Sequence, residues 1–272
     1  MNNNVWERFK KNIKENNLIN SGDKVLLLNS LGKDSAMLTD LFCQLRDEIN
    51  FELIVIIFKI PIHAYQNDVE FCKLVDFWKQ KNLIIKVIEF EESDLLWEQS
   101  INIKGDVPCN ECRRLRNIQI KLAIDQINPN KVAAGFNLTD LQSYLTMMQL
   151  FSDYTFDIDK ITNIKTAKRF ISLLPRHFMK VDSFSKNGLQ WILPIIIFDD
   201  RCVSNYLEEQ DIPFLKTKCK FKSDVSRSVF KEFVEKLHMT YEFESSYNNL
   251  IKFLIENTQQ DINEYVNDNW LK

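Results

Sequence analysis

The chain has 272 residues, of which 45% are hydrophobic and 27% charged, with a formal net charge of −3 at pH 7. Such a chain can bury a full core, and its weak negative charge argues against nucleic-acid binding through bulk electrostatics. The apolar runs near 53–58 and 192–198 are too short to cross a membrane, and residues 1–17 lack a signal-peptide pattern. We therefore expect a cytoplasmic protein without membrane attachment.

Strand-like and helix-like patterns alternate along the first half of the chain. Apolar runs predict four strands: Val25–Asn29, which is expected to be buried, Leu53–Lys59, Leu83–Phe90 and Lys131–Ala134. Between them, apolar residues recur at helical spacing near 35–46, 67–79 and 113–127. Repeated strand–helix units with fully apolar strands predict an α/β fold, in which helices flank a parallel sheet. Ligands of such sheets bind beyond the carboxyl ends of the strands.

The second half of the chain has a weaker pattern. Residues 191–198 predict a strand interrupted by Pro194, and helical spacing returns at 199–210, 225–237 and 247–256. We therefore divide the chain into three parts: an N-terminal helix over 1–20, an α/β domain over 21–198 and a mostly helical C-terminal region over 199–272.

The turn Ser30–Ser35, with the sequence SLGKDS, joins the first predicted strand to the first predicted helix. Backbone N–H groups and the helix dipole favour an anion at such a place, and Lys33 adds positive charge. Gly32 allows a conformation or a close approach that a Cβ would block. Ser30 and Ser35 supply hydroxyl donors, and the Asp34 carboxylate is a suitable ligand for Mg²⁺. The alternative is a plain helix cap at Ser30 or Asp34, which needs no ligand.

A close cysteine pair, Cys109 and Cys112, precedes the helical pattern at 113–127 with the spacing CxxC. In a reducing compartment such a pair indicates metal or redox chemistry rather than a disulfide. With Cys219 as a third thiolate, the pair would suit an iron–sulfur cluster that leaves one iron open. Structural zinc completed by His177 or His238, and a redox dithiol, are the alternatives.

The other three cysteines are expected to be structural. Cys43 and Cys72 fall within helical patterns and are predicted to be buried, unreactive thiols. Cys202 is predicted to have a packing role. The sequence contains no second CxxC pair that would complete a four-cysteine zinc site.

The SLGKDS turn resembles the SGGxDS signature of the pyrophosphatase-loop (PP-loop) ATPases. One residue departs from that signature, because Leu31 stands where the family has a glycine. Members of this superfamily adenylate a carbonyl oxygen with ATP, release pyrophosphate and let a nucleophile displace AMP. The resemblance implies a Rossmann-like PP-loop sheet, with adenine near Phe58, Lys59 and Gly135.

The cysteine segment CNECRRLRN, which starts at Cys109, is similar to the CxxCxRLRR segment of tRNA 2-thiocytidine synthetases. Those enzymes and the related tRNA 2-thiouridine synthetases place a [4Fe-4S] cluster on a CxxC pair plus a late third cysteine. The resemblance therefore implies that Cys109, Cys112 and Cys219 are cluster ligands, the last supplied by the C-terminal region.

Two further positions carry family roles. Arg116 matches a basic residue four after the second cysteine, and Asp140 matches the final residue of a GHxxDD motif that begins here at Gly135. Within that motif Asn137 matches the 2-thiouridine version, whereas Phe136 replaces the usual histidine and Thr139 the first aspartate. The resemblance implies that Asp140 orients the acceptor or accepts a proton, and that Arg116 stabilises negative charge at the adenylated oxygen. The alternatives are a helix start at Asp140 and a solvated basic face around Arg116.

Together these features predict an ATP-dependent sulfurtransferase that uses ATP, Mg²⁺ and a [4Fe-4S] cluster. Its acceptor is either a nucleobase in tRNA or a small molecule such as a free nucleobase or amide. The sulfur donor is sulfide or a persulfide, for instance from a cysteine desulfurase, and a homodimer is an open expectation. Alternative functions are a PP-loop reductase of sulfonucleotides, an amidating PP-loop ligase and a zinc-stabilised nucleic-acid module without catalysis.

Overall fold

The computed structural model describes residues 2–59, 68–89, 109–143, 189–216, 231–234 and 236. Five helices and five strands have defined bounds within these ranges. They are α1 (Asn2–Glu15), β1 (Lys24–Asn29), α2 (Lys33–Glu48), β2 (Glu52–Lys59), α3 (Asp68–Lys79), β3 (Ile84–Glu89), α4 (Cys109–Ile127), β4 (Lys131–Ala134), β5 (Gln190–Ile192) and α5 (Asp200–Glu209).

The five strands form one parallel sheet in the order β3-β2-β1-β4-β5. The chain runs outward from β1 to β3 and then crosses back to β4, so the strand order reverses between β1 and β4. The register pairs Leu27 of β1 with Val55 on one side and Ala133 on the other. This reversal is a topological switch point, beside which open α/β sheets bind ligands. The predicted parallel, Rossmann-like sheet flanked by helices is confirmed.

Most predicted elements lie within one or two residues of their observed bounds, because the central strands are continuous apolar runs. The predicted strand at 191–198 is wrong beyond Ile192. Two turn hydrogen bonds replace the strand there, from Ile196 N to Leu193 O at 3.1 Å and from Phe198 N to Ile195 O at 3.0 Å. Pro194 has no N–H to continue a ladder, which is the physical reason for the early end.

Helix α1 packs into the core beneath these turns. Phe9 and Ile13 are buried, and the Phe9 ring lies 6.0 Å from that of Phe42 in α2. Asn12 Nδ2 donates to Pro194 O at 2.9 Å, and Arg8 donates to the carbonyl of Ile197 at 3.2 Å. The N-terminal helix therefore holds in place the turns at 193–198 that lead into α5.

The chain divides into two compact units: residues 1–138 with 183–228, and residues 139–182 with 229–272. The first unit contains the sheet and α1 to α5. In the second, residues 139–143, 231–234 and 236 are described, and those of 231–234 are helical. The predicted helix at 247–256 lies outside the described residues. Within the described part of the chain, no helix is long and apolar enough to cross a membrane.

A buried ion pair fastens the amino end of the sheet, opposite the SLGKDS turn. Lys131 Nζ lies 2.7 Å from Asp23 Oδ2, and both side chains are nearly inaccessible to solvent. Asp23 also accepts from Asn20 N and from Asn130 Nδ2, each at 2.6 Å. Burial raises the pKa of Asp23, but Lys131 and these two donors outweigh it, so the pKa lies below the usual value.

Replacing Lys131 by methionine is expected to destabilise the protein by about 3 kcal/mol, because the Asp23 carboxylate is left buried without its cation. The matched control is Lys24→Met, which removes a half-exposed partner 3.7 Å from Glu52 and should cost less than about 1 kcal/mol. Urea unfolding followed by circular dichroism measures both. Equal losses would contradict the assignment.

The same ion pair makes stability depend on pH. The folded pKa of Asp23 lies below its unfolded value of about 3.9, so the contribution is complete above that pH. It is lost as the pH falls through the folded pKa. The stability of Lys131→Met should therefore decline less between about pH 4 and pH 2 than that of the wild type.

Candidate active site

The SLGKDS turn occupies the carboxyl end of β1, directly beside the switch point. Strand β1 ends at Asn29 and α2 begins at Lys33. Gly32 is the N-cap residue of α2, and no side chain caps the helix from that position. The structure therefore contradicts the alternative in which Ser30 or Asp34 is the cap residue of this helix. The turn instead sets the start of a 16-residue helix, with its positive dipole end, at the ligand-binding edge of the sheet.

Leu31, the departure from the family signature, has the left-handed backbone conformation that glycine usually provides, with φ of 59°. A Cβ in that conformation costs about 1–2 kcal/mol. Three features compensate: the side chain is fully buried in the core, Leu31 N donates to Asn29 Oδ1 at 2.6 Å, and Leu31 O accepts from Leu215 N at 2.7 Å. The turn thus keeps a positive φ without the glycine.

Gly32, in contrast, has φ of −76° and ψ of 167°, which any residue adopts. A Cβ added there would meet Ser30 Oγ at 3.3 Å, and that hydroxyl is able to rotate away. The conformational reason predicted for Gly32 therefore belongs to Leu31. The remaining reason for a glycine at position 32 is that it allows a ligand to approach the backbone closely.

The two serines of the turn are bonded to each other and to its backbone. Ser30 and Ser35 hydroxyl oxygens lie 3.2 Å apart, and Ser35 Oγ donates to Gly32 O at 2.9 Å. Beneath them, Thr39 Oγ1 donates to Ser35 O at 2.6 Å and accepts from Asn29 Nδ2 at 2.9 Å. This internal network holds the turn in one shape before any ligand binds.

Gly135, at the end of β4, lies against the backbone of the turn. A Cβ at this position would sit 2.8 Å from Ser35 N and 2.9 Å from the carbonyl carbon of Asp34. Real Cβ atoms essentially never approach backbone so closely. A glycine is thus required here for packing between β4 and α2, in addition to the adenine contact that the sequence predicts.

A polar cluster next to the turn joins α2 to α5. Lys33 Nζ forms an ion pair with Asp200 Oδ2. Asn137, which is fully buried, uses Nδ2 to donate to Asp34 Oδ1 at 2.7 Å and to Asp200 Oδ1 at 2.8 Å. One lysine, two carboxylates and one amide are therefore fixed relative to each other at the carboxyl edge of the sheet.

The start of α5 positions Asp200. Asp199 is the N-cap residue of this helix, and its carboxylate accepts from Cys202 N at 2.7 Å. Further along α5, Tyr206 donates its hydroxyl to Asp40 Oδ2 of α2 at 2.7 Å. Burial, and then the neighbouring Asp40 carboxylate, raise the pKa of Tyr206, so the hydroxyl remains a donor at any physiological pH. Both ends of the α2–α5 contact are thus hydrogen-bonded.

Sequence reasoning missed Asp200 as a site residue and assigned it only to a helix. A signal was present in the two acidic residues, 199 and 200, that directly follow the apolar run 191–198. Acidic residues favour the starts of helices, and ligands of open α/β sheets bind beyond the carboxyl ends of the strands, where such helices begin.

The predicted adenine residues lie at the end of β2. Phe58 is buried, and Lys59 Nζ is 3.7 Å from Glu89 and 5.5 Å from the centroid of the Phe71 ring. Both residues share the carboxyl edge of the sheet with the turn, since β2 is parallel to β1. Their contact with adenine stays a prediction.

The two predicted catalytic residues lie in different parts of the chain. Arg116 is half-buried on α4, in the first compact unit. Asp140 belongs to the second unit, within a helical stretch at 138–143, where its Oδ1 lies 3.2 Å from Lys231 Nζ. The helix begins two residues before Asp140, so this carboxylate does not start it. Both catalytic roles stay predictions.

The cysteine pair lies inside α4, because this helix begins four residues earlier than the helical pattern at 113–127 predicts. Cys109 and Cys112 lie in the first turn of that helix, while their side chains and the whole of Cys219 lie outside the described residues. Among the described side chains, no group of three histidine, cysteine or acidic residues is arranged to hold a metal ion. The ligand set for the cluster therefore stays a prediction.

The remaining cysteines differ in exposure. Cys43 and Cys202 are half-buried and pack against the core, which confirms the packing role predicted for Cys202, whereas Cys43 is less buried than predicted. Burial raises the pKa of each thiol to about 11, which disfavours the reactive thiolate. The prediction that Cys72 is buried is wrong. It lies on the solvent face of α3, because the helix buries Phe71, Leu74, Val75 and Trp78 instead.

Known proteins resemble the chain in sequence, although no protein-family model matches it. It is 23% identical over 228 residues to the tRNA(Ile)-lysidine synthase of Thermosipho africanus, an alignment of 84% of this chain and 46% of that protein. It is 22% identical over 247 residues to the tRNA-cytidine(32) 2-sulfurtransferase of Pasteurella multocida, 88% of this chain and 70% of that protein. The chain thus spans about half the length of the first relative.

A solved structure shares the fold. The U34-tRNA thiolase NcsA from Methanococcus maripaludis, determined with its [4Fe-4S] cluster, aligns with a TM-score of 0.65 and 17% identity. The alignment covers 91% of this chain and 78% of that one. At this identity the likeness establishes the fold, in agreement with the sheet order described above.

Proposed function

Since the chain is a homologue of the PP-loop ATPases, we propose that it is an ATP-dependent sulfurtransferase acting on a nucleobase of tRNA. It adenylates a carbonyl oxygen of the base and replaces that oxygen with sulfur. The observation that carries the proposal is the rigid turn at the end of β1, where Lys33 and the start of α2 meet at the switch point of a parallel sheet.

The reaction has two steps. The carbonyl oxygen attacks the α-phosphorus of ATP, the bond to the bridging oxygen breaks, and pyrophosphate leaves. Sulfide then attacks the activated carbon, and the C–O bond breaks as AMP departs with the former carbonyl oxygen. Holding the reactants together in a site that excludes water supplies much of the rate.

The turn would bind the phosphates of ATP. Lys33 and the first amides of α2 would face the phosphate oxygens, and the absence of a Cβ at Gly32 would allow close approach. Asp34 offers carboxylate oxygen, the ligand that Mg²⁺ prefers, and Asn137 orients that carboxylate through its 2.7 Å hydrogen bond. The internal bonds between Ser30 and Ser35 keep this cradle in shape.

The cysteines fit an iron–sulfur cluster by their chemistry and their place on the backbone. Residues three apart in a helix are neighbours on its surface, which suits Cys109 and Cys112 at the start of α4. Cys219 follows Leu215 by four residues in sequence, and Leu215 N is hydrogen-bonded to Leu31 O in the turn. Three thiolates, from Cys109, Cys112 and Cys219, would hold a [4Fe-4S] cluster and leave one of its irons without a cysteine ligand, where sulfur chemistry could be supplied. In this proposal Arg116 would stabilise negative charge at the adenylated oxygen, and Asp140 would orient the acceptor or accept a proton.

Anaerobic purification, followed by iron, sulfide and zinc analysis and by AMP-release assays on bulk tRNA, tests this function. We expect about four irons per chain and AMP release that requires both tRNA and sulfide. Cys109→Ser should remove the iron and the thiolation. The control is Cys72→Ser, an exposed thiol on α3, which should change neither. A colourless zinc protein, or AMP release without thiolated product, would contradict the proposal.

A small-molecule acceptor is the second candidate, favoured by the acidic charge of the whole chain. It predicts AMP release with free nucleobases or amides and none with tRNA. A PP-loop ligase that forms a C–N bond, like the lysidine synthase relative, would use ATP and tRNA without requiring Cys109. The Cys109→Ser variant therefore separates the ligase from the sulfurtransferase.

A further inference from the structure

We propose that Asp200 competes with bound phosphate for Lys33, and so lowers the affinity of the site for pyrophosphate after the adenylation step. This inference rests on the proposed function, because it requires that the turn binds the phosphates of ATP. Asp200 is not a catalytic residue in this scheme, since it pairs with Lys33 and acts on the charge of the phosphate without contacting the reacting atoms.

Lys33 already has one negative partner, Asp200, and a bound phosphate would be the second. Lys33 is the first residue of α2, and its side chain keeps 27% of its exposure, whereas that of Asp200 keeps 9%. The lysine side chain is therefore the more accessible of the two partners. A phosphate arriving at the start of α2 would meet Lys33 already paired with Asp200.

Asp200 keeps its place when Lys33 turns to the phosphate. Its Oδ1 accepts from the buried amide of Asn137 at 2.8 Å, and it lies in the first turn of α5, where the helix dipole favours an anion. Tyr206 and Asp40 hold α5 against α2, so the carboxylate does not follow the lysine outward. It therefore remains next to a bound phosphate as a fixed like charge.

Two opposing effects decide the sign. Asp200 orders the flexible lysine, which favours phosphate binding by saving rotamer entropy. It also repels an anion that carries several negative charges at short range in a partly buried site, which disfavours binding more strongly. The repulsion wins because it acts on every phosphate charge, whereas the entropy saving concerns one side chain. Removal of the Asp200 charge should therefore tighten phosphate binding.

The consequence is easier product release. Once pyrophosphate has separated from the adenylated acceptor, Asp200 re-forms its ion pair with Lys33 as the anion departs. The lysine is not left without a counter-charge in the empty site, which lowers the cost of emptying it. ATP would lose the same phosphate binding free energy, but its adenosine could supply further contacts that pyrophosphate lacks.

Isothermal titration with Mg²⁺-free pyrophosphate tests the inference on Asp200→Asn, which keeps an oxygen for Asn137. We expect binding about tenfold tighter than in the wild type, whereas Asp200→Glu, which restores the charge, should bind like the wild type. Asp199→Asn is the matched control: it removes one charge at the neighbouring residue and keeps the helix cap, so its affinity should stay within about twofold. Thermal unfolding checks that each variant is folded, and Asp200→Ser is the second replacement if asparagine is not tolerated.

Unchanged or weaker pyrophosphate binding by Asp200→Asn would overturn the inference, as would equal tightening by Asp199→Asn. Lys33→Met separates this failure from that of the proposed function. If the wild type binds pyrophosphate, Lys33→Met does not, and Asp200→Asn equals the wild type, only the competition is wrong. If the wild type binds neither pyrophosphate nor ATP, both proposals fail.

Discussion

Replacing Gly135 by alanine is expected to lower ATP-dependent turnover about 100-fold, because the turn must move when β4 gains a Cβ. The added atom would lie 2.8 Å from Ser35 N and 2.9 Å from the carbonyl carbon of Asp34. Because both are backbone atoms, rotation of a side chain cannot relieve the clash. The same crowding should destabilise the protein by about 1–3 kcal/mol. AMP release under saturating ATP and a urea titration measure the two effects.

Gly32→Ala is the matched comparison, since it adds the same atom three residues before Ser35. Its backbone conformation suits alanine, and the nearest atom is the rotatable hydroxyl of Ser30 at 3.3 Å. Stability should therefore change by less than about 1 kcal/mol, while ATP affinity falls if phosphate approaches the glycine closely. A Gly135→Ala variant as stable and as active as Gly32→Ala would refute the packing role.

Substituting Leu31 by glycine, the residue in the family signature, is expected to destabilise this protein by about 2–4 kcal/mol. The loss of a fully buried leucine side chain outweighs the relief of a left-handed backbone that costs about 1–2 kcal/mol. Leu31→Ala should be less stable still, by about 1 kcal/mol, because alanine loses the packing and keeps the strain. Chemical denaturation of the three proteins gives the order.

Leu27 is the control for this order. It is fully buried in β1 with ordinary strand geometry, so there alanine should be the more stable replacement and glycine the less stable by about 0.5–1 kcal/mol. The rank of alanine and glycine should thus reverse between positions 27 and 31. The same rank at both positions would show that the positive φ of Leu31 carries no strain.

Much of the fold follows from local patterns in the sequence. Fully apolar runs such as Leu53–Phe58 identify central parallel strands, and the glycine-containing turn after the first run marks the ligand edge. The end of β5 at Ile192 was not foreseeable from hydrophobicity, because the run to Phe198 stays apolar after it turns. Most of residues 193–198 face the core, and all are apolar whether or not they pair with a neighbouring strand.

The site was only partly predictable for a different reason. The residues of the turn are contiguous, so their spacing identifies them together. Asn137 and Asp200 act through contacts with residues 103 and 167 positions away, at Asp34 and Lys33, and no local pattern encodes such pairs. Similarly, the left-handed conformation of Leu31 depends on burial and on Leu215, which a motif does not reveal.

The burial of Leu31 has a consequence for the motions available to the turn. In many nucleotide-binding proteins the phosphate loop is a solvent-exposed segment that opens locally, at a small fraction of the global unfolding free energy. Here the residue at its bend is part of the hydrophobic core, and its carbonyl is bonded to the segment that follows α5. A large change in the shape of the turn would withdraw a leucine from that core, so we expect ligands to be accommodated by side chains more than by movement of this backbone.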